Sequence, residues 1–246
     1  MAIRFWNHLA ANDGNRSAFL KRGEEDPLFL EQFKALRAKF EYRVDMHNWK
    51  TVAVTSAIAG EGKTVTCVHL ARNLASSGRK KVLLVDIDLR KSDLASALEL
   101  DPVPGLSEFL AGSVEFKEVV HNSSIPGLRV VPAGSRVSAP ADLISGSKFR
   151  SLLKQLRDHF DVILLDTPPV VPVADTINLR DQVDGFLLIY RAGFTPHPVF
   201  RQAVEELGES KVLGVILNGV EPKTERYYQK YYGKYYRKSG DPVSTG

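Results

Sequence analysis

The chain has 246 residues, 43% hydrophobic and 25% charged, with a net charge of +4. That is enough apolar material for one sizeable α/β core, and so small a charge excess gives no argument for nucleic acid as a partner. A single cysteine, Cys67, excludes an internal disulfide and fits a reducing cytosol. The scattered histidines show no paired ligand spacing for zinc, and no apolar run approaches the ~20 residues that span a bilayer.

In chain order, Met1–Asp26 begins with IRFWNHLA, an amphipathic piece carrying Phe5, Trp6 and Leu9, and continues into the polar AANDGNRS. It reads as a terminal helix resting on the domain or as a docking segment for a membrane-bound partner. Pro27 then opens a helix at the position that suits proline. Phe29, Phe33, Leu36 and Phe40 follow helical spacing and form a stripe facing a core, while Glu31, Lys34 and Arg37 lie on another side. That charged side is a solvated face or a self-association surface.

Thr51–Thr64, TVAVTSAIAGEGKT, carries the strongest chemical signal. Val52–Val54 reads as a buried strand, Ser56–Gly62 as a loop of small residues, and Gly62-Lys63-Thr64 as the opening of a helix. This is the layout of a phosphate-binding P-loop, G-x-x-x-x-G-K-[ST], with Ala57 at the first glycine. Alanine disfavours a left-handed backbone, so the loop does not require one there. Backbone along Ala59, Gly60, Glu61, Gly62, Lys63, Thr64 and Val65 would wrap a polyphosphate at a helix N-terminus. Lys63 would reach the β- and γ-phosphates of ATP, and the Thr64 hydroxyl would ligate Mg²⁺.

A helix over Val65–Ser77 follows, closed by Gly78. Lys81–Asp86 is a second strand whose VLLV run suits a parallel sheet covered on both faces. It ends in Asp86-Ile87-Asp88-Leu89-Arg90, two carboxylates and a guanidinium where open α/β sheets bind ligands. Short helices at Gly105–Leu110 and Phe116–Val120, a strand at Leu128–Val131 and one helix over Ala141–His159 come next. Asp161–Asp166, DVILLD, is a fourth strand ending in Asp166-Thr167-Pro168-Pro169; an acid there reads as the Walker B carboxylate. Phe186–Tyr190 is a strand, Pro198–Leu207 a helix, and Val212–Leu217 a last strand ending at Asn218, which would meet an adenine edge or cap the loop. The alternation predicts an α/β fold, a mostly parallel sheet with helices on both faces. The expected division is an N-terminal helical segment over 1–48, a P-loop domain over 49–221 and a tail over 222–246.

The tail reads RYYQKYYGKYYRK from Arg226 to Lys238. Six of the eight tyrosines lie here, Tyr227, Tyr228, Tyr231, Tyr232, Tyr235 and Tyr236, in pairs four residues apart with basic residues between. A basic aromatic run suits single-stranded nucleic acid, a membrane surface, or a flexible tail whose hydroxyls accept phosphoryl groups from the chain's own nucleotide site.

The set SAIAGEGKT, VLLVDIDLR, VILLDTPP and a C-terminal tyrosine cluster resembles the bacterial tyrosine kinases, across roughly Pro27–Lys238. The resemblance implies a P-loop NTPase fold of the partitioning-ATPase-like subclass and ATP with Mg²⁺ as cofactors. It also implies autophosphorylation of the tyrosine cluster, in trans within an oligomer. Lys63, Asp86 and Asp88 are then catalytic, with Asp86 at the tyrosine hydroxyl and Asp88, Asp166 and Thr64 serving the metal. Glu31, Lys34 and Arg37 match the oligomerisation motif E-x-x-R-x-x-R with lysine in the middle, and lysine cannot make arginine's bidentate contact. Ser92 stands where many members have proline. Expected partners are other copies in a ring, a membrane-bound polysaccharide chain-length adaptor and a cognate tyrosine phosphatase. Location would be cytoplasmic, held peripherally at the membrane through that adaptor. The chain reads as the kind separate from its membrane partner or as an excised cytoplasmic domain.

Partitioning and septum-site ATPases share these motifs. They carry an extra lysine where this chain has Ile58, and they lack a tyrosine tail. From Glu221 onward the tail has six basic residues and three acids. Each phosphate adds about −1.5 to −2, so modification would invert its charge and release it from an acidic cleft.

Overall fold

Short runs of Val, Ile and Leu, each ending in a polar residue, build a single sheet. The computed structural model describes residues 2–3, 27–173 and 175–220. The strands are β1 Ala2–Ile3, β2 Thr51–Ser56, β3 Val82–Asp86, β4 His121–Asn122, β5 Leu128–Val131, β6 Val162–Asp166, β7 Gly185–Arg191 and β8 Val212–Asn218. Their order is β1-β8-β7-β2-β6-β3-β5-β4. Every pairing is parallel except β4 with β5. The carboxyl ends of β2, β3, β5, β6, β7 and β8 therefore share one edge, where ligands of open α/β sheets bind.

Strand side chains alternate between two cores, as a pleated sheet covered on both faces requires. Val52, Val54, Val82, Leu84, Val162 and Leu164 face one core; Ala53, Leu83, Val85, Ile163 and Leu165 face the other. The first core is closed by the helices Pro27–His47 and Lys63–Ser76, the second by Leu106–Ala111, Ser147–His159 and His197–Leu207. Phe29, Phe33, Leu36 and Phe40 all lie in the first core, as the helical stripe predicts, and Val44 joins them. The Pro27–His47 helix thus shares a core with the sheet, and the boundary expected at residue 48 falls inside one packed body. Cys67 is fully buried in that core, and burial pushes its thiol well above the usual range, so it packs rather than reacts.

Three local features differ from the sequence reading. The helix expected over Ala141–His159 is two, Pro140–Ser145 and Ser147–His159, separated by Gly146 in an extended conformation (φ −64, ψ 155). A Cβ there would sit 3.2 Å from the carbonyl oxygens of Asp142 and Leu143, a tight contact in a backbone conformation that any residue can adopt. A four-residue helix, Leu94–Ala97, follows the two acids of β3. At the N-terminus Ala2–Ile3 is a strand beside Leu217–Asn218 rather than part of a helix. The rest of the IRFWNHLA stretch and all six tail tyrosines lie outside the described residues.

Candidate active site

At the end of β2, Ser56 donates its hydroxyl to the Ile58 carbonyl at 2.6 Å and starts a tight loop. Ala57 is fully buried, and the non-glycine residues with positive φ, among the described residues, are Asn48 and Glu99. Alanine therefore stands at the first P-loop position without strain. Gly60 and Gly62 do adopt the left-handed region, at φ 84 and 94. A Cβ on Gly62 would lie 2.5 Å from the Asn218 amide nitrogen. The Lys63–Ser76 helix starts immediately after, and Lys63, Thr64 and Val65 are half-buried in its first turn. A fourteen-residue helix with unsatisfied N–H groups at its start is an anion site.

Glu61 fastens this loop from within. It is fully buried, and its carboxylate accepts the Ile58 N–H at 2.8 Å, the Arg191 N–H at 3.2 Å and the Thr195 hydroxyl. Asn218, at the end of β8, donates to the Glu61 carbonyl at 2.7 Å and accepts the Gly219 N–H at 2.7 Å. Of the two roles open to Asn218, the side chain performs loop capping. Glu61 can serve a nucleotide through its backbone only. Arg191 closes the outside, donating to the Gly60 carbonyl at 2.8 Å and lying 4.7 Å over the Phe194 ring.

Two strands away, register brings the acids together. Asp86 and Asp166 are paired positions on adjacent parallel strands, 0% and 2% exposed. Burial raises the Asp86 carboxyl well above its usual range, the Asp166 charge adds to that, and the Ser92 hydroxyl bond opposes it. Asp86 is held by three donors: the Asp88 N–H at 3.0 Å, the Ser92 hydroxyl at 2.6 Å and the Leu94 N–H at 3.4 Å. Asp88 is half-buried; burial raises it, while the Lys91 N–H and the Lys63 ammonium hold it down. Arg90 grips the buried Asp175 with two bonds, at 2.7 and 3.1 Å. That pair ties the loop after β3 to the loop after β6.

Two buried carboxylates side by side are an unfavourable arrangement that a divalent cation relieves, so these residues fit Mg²⁺. The arrangement suits Asp86 to a metal shell shared with Asp166 and Thr64, and suits the more exposed Asp88 to an incoming group. The resemblance implied the other division, with Asp86 at the tyrosine hydroxyl; Asp86 has no exposed surface, whereas Asp88 has some.

The structure brings Lys63, Thr64, Asp86, Asp88, Asp166 and Asn218 to one edge of the sheet. It places Glu31, Lys34 and Arg37 apart from them, on the Pro27–His47 helix. Lys34 pairs with Glu31 at 2.7 Å within that helix, and Arg37 lies 3.9 Å from Glu41 and 3.5 Å from the Asn73 carbonyl. The anchoring carboxylate of Glu61, the Ser92 hydroxyl, Asp175 and Thr195 were not expected to act here. Their partners lie up to 134 residues away, and no local pattern announces such a pairing.

A family model described as an AAA domain matches residues 49–183, just over half of the chain. The tyrosine-protein kinase CpsD of Streptococcus agalactiae is 33% identical over 200 residues, 80% of this chain and 85% of that protein. The tyrosine-protein kinase YwqD of Bacillus subtilis is 34% identical over 212 residues, 83% of this chain and 89% of that protein. Among solved structures, the kinase domain of the Escherichia coli tyrosine kinase ETK superposes with a TM-score of 0.80 at 25% identity. That match covers 100% of this chain and 93% of the other.

Proposed function

The chain carries an AAA domain and belongs to the bacterial tyrosine-protein kinases; on that premise we propose that it transfers the γ-phosphoryl of ATP to tyrosines of its own RYYQKYYGKYYRK segment. One observation carries the reading. A P-loop helix bearing Lys63 opens beside two facing buried acids, with the half-exposed Asp88 close enough to feel the Lys63 charge.

Lys63 and the backbone of the loop bind and orient the polyphosphate. Thr64, Asp86 and Asp166 are the side chains that would hold Mg²⁺, which supplies charge neutralisation at the phosphates when bound. Asp88 orients the tyrosine hydroxyl and takes its proton as the phosphorus–oxygen bond forms. Glu61, Asn218 and Thr195 keep the loop from collapsing, so the donors are in place before the nucleotide arrives.

Around this core we place the finer parts of the reading. The chain acts in an oligomer, with tyrosines offered between copies. A ring contact through Glu31, Lys34 and Arg37 would have to exchange the pairs that these residues make within their own chain. A membrane-bound polysaccharide adaptor would supply attachment to the membrane; no helix among the described residues is long and apolar enough to cross one. A tyrosine phosphatase would reset the tail, and the modified tail, turned from net basic to roughly −6 to −9, would leave the acidic edge and loosen the oligomer. This cycle would regulate polysaccharide polymerisation and export.

The test is incubation with Mg²⁺ and γ-labelled ATP, followed by mapping of the label by mass spectrometry. Label on Tyr227–Tyr236 that Lys63→Met abolishes is the expected result. Release of inorganic phosphate with no label on protein would instead make the chain a partitioning-type regulatory ATPase.

A further inference from the structure

The loops after β3 and β5 enclose a hollow of about 310 Å³. β5 pairs with β3 on the side away from β6, so the hollow lies across β3 from the facing acids Asp86 and Asp166. Leu89, Ala95, Leu100 and Pro102 give it an apolar wall, and Arg136 is its one charged lining residue. Among the described residues that guanidinium is exposed and makes no hydrogen bond or ion pair, whereas Arg90 and Arg191 on the same edge are both engaged. Gly134, also in the wall, lies beside a second unanswered group: a Cβ there would sit 2.3 Å from the Ser107 hydroxyl, which is buried without a partner. The nearby Glu108 carboxylate is taken up by the Gly105 and Ser135 N–H groups, at 2.8 and 3.1 Å. The lining thus offers apolar surface and an unpaired cation, and holds no acid.

We propose that this hollow is a second ligand site, for a small amphipathic carboxylate: an apolar body against Leu89, Ala95, Leu100 and Pro102, with its charged end on Arg136. The volume is at the lower end of ligand pockets, too small for a nucleotide. Inorganic phosphate would satisfy Arg136 and leave the apolar wall in water. The chain's own Arg226–Lys238 stretch has five basic residues and no acid, so Arg136 repels it. A planar guanidinium fork matches a carboxylate with two parallel bonds. Ser92 connects this site to the catalytic edge: it lines the hollow, and its hydroxyl donates to Asp86 at 2.6 Å. A ligand packed against Ser92 keeps that hydroxyl on Asp86, so the loop that carries Asp88 and Ser92 is ordered before Mg²⁺ and nucleotide arrive. Occupancy therefore favours Mg²⁺·nucleotide binding, and by linkage Mg²⁺·nucleotide favours occupancy by the same factor. Binding is read without phosphoryl transfer, so the proposal stands or falls apart from the kinase reading.

The experiment titrates the ¹⁵N-labelled full chain with hexanoate and with hexanol, the same chain without the charge, and follows amide shifts. Fluorescent ADP affinity serves as the control for folding. Hexanoate should saturate with a Kd on the order of 1–10 mM, shifting the Ser96 and Arg136 amides, and hexanol should bind about fivefold more weakly. Arg136→Gln should bring hexanoate down to the hexanol level and leave hexanol unchanged. Ser96 lines the hollow and is exposed, so Ser96→Trp fills it from outside and should abolish both. Mg²⁺ with ADP should tighten hexanoate about fivefold in wild type and not in Ser92→Ala. The carboxylate site is overturned by the absence of a saturable shift across the millimolar range, by equal affinity for hexanoate and hexanol, or by an Arg136→Gln variant that binds hexanoate as wild type does. Hexanoate affinity that ignores Mg²⁺ and ADP overturns the link through Ser92. Should Ser96→Trp fail to fold, Arg136→Gln, a change at an exposed position, decides alone.

Discussion

Glu61 and Asp86 are both fully buried carboxylates on the same edge of the same sheet, and they are held there in opposite ways. Glu61 sits among donors from two parts of the chain, Ile58 in its own loop and Arg191 and Thr195 at the end of β7. Asp86 also has three donors, but all come from the following loop, and its neighbour across the strand is another acid, Asp166. A buried charge answered by converging donors fastens the fold. A buried charge set against a like charge works against the fold and is retained for what it binds. The comparison separates an anchor from a working group where burial alone does not.

The sharpest way to break this contrast is to neutralise each acid isosterically. Asp86→Asn should cut tyrosine labelling about a hundredfold or more and raise the Mg²⁺ requirement, because the cation loses a ligand. The same variant should make the metal-free protein more stable, by about 1–2 kcal/mol and a few degrees in Tm, since it removes repulsion from Asp166. The sign with pH follows. The Asp86 carboxyl is raised above its usual value near 3.8, so its contribution to stability is fully present below that value and is lost as pH rises through the raised one. Asp86→Asn should flatten that decline in denaturant midpoints measured across pH. Glu61→Gln should do the reverse, losing about 2–4 kcal/mol because an amide NH₂ is turned toward N–H and O–H donors. Equal stability changes of one sign for the two variants would end the distinction.

A smaller effect sharpens the anchor side. Asn218→Ala leaves the Glu61 carbonyl without its 2.7 Å donor and opens space beneath Gly62. The expected loss is about 1–2 kcal/mol of stability, with nucleotide affinity falling roughly tenfold as the loop loosens. Fluorescent ADP titration reads this, and unchanged affinity would mean that the loop holds its shape without the strand.

What could be read from the sequence divides along the same line. β2, β3 and β6 are apolar runs ending in a phosphate loop or an acid, and Lys63, Thr64, Asp86 and Asp166 each stand within a few residues of the signal that identifies them. Asp86 facing Asp166 needs, beyond a parallel sheet, the adjacency of β3 and β6, which are not consecutive in the chain. Glu61 looked like one more loop residue, because two of its three donors, Arg191 and Thr195, are contributed 130 and more positions later. Asp175 is an acid in an irregular loop, and only the fold brings Arg90 to it. Ser92, which stands where many members of the family have proline, donates its hydroxyl to Asp86 at 2.6 Å, a role its position in the motif does not announce. Gly146 was visible in the sequence, but an amphipathic period running through it hid the break.

The comparison extends to a third buried titratable group, a base. His69 is 2% exposed on the Lys63–Ser76 helix and packs between Phe29 and Phe33, its ring centroid 4.8 and 4.9 Å from theirs. Burial, with Arg72 adding to it, lowers the imidazole from 6.5 to about 3. Stability from keeping this ring neutral is therefore fully present above pH 6.5 and is lost as pH falls toward 3, at about 1.4 kcal/mol per unit once the unfolded ring is protonated. The rings it touches belong to the Pro27–His47 helix, so acid should loosen that helix from the sheet while the P-loop anchor, one turn and more away, persists. His69→Phe keeps an aromatic ring in the stack and should remove the acid limb between pH 6.5 and 4 in denaturant melts. Hydrogen exchange at pH 4 should show Phe33–Phe40 amides exchanging faster than those of Thr51–Ser56 in the wild type, and a variant with the same acid limb would show that the stack is not what acid disrupts.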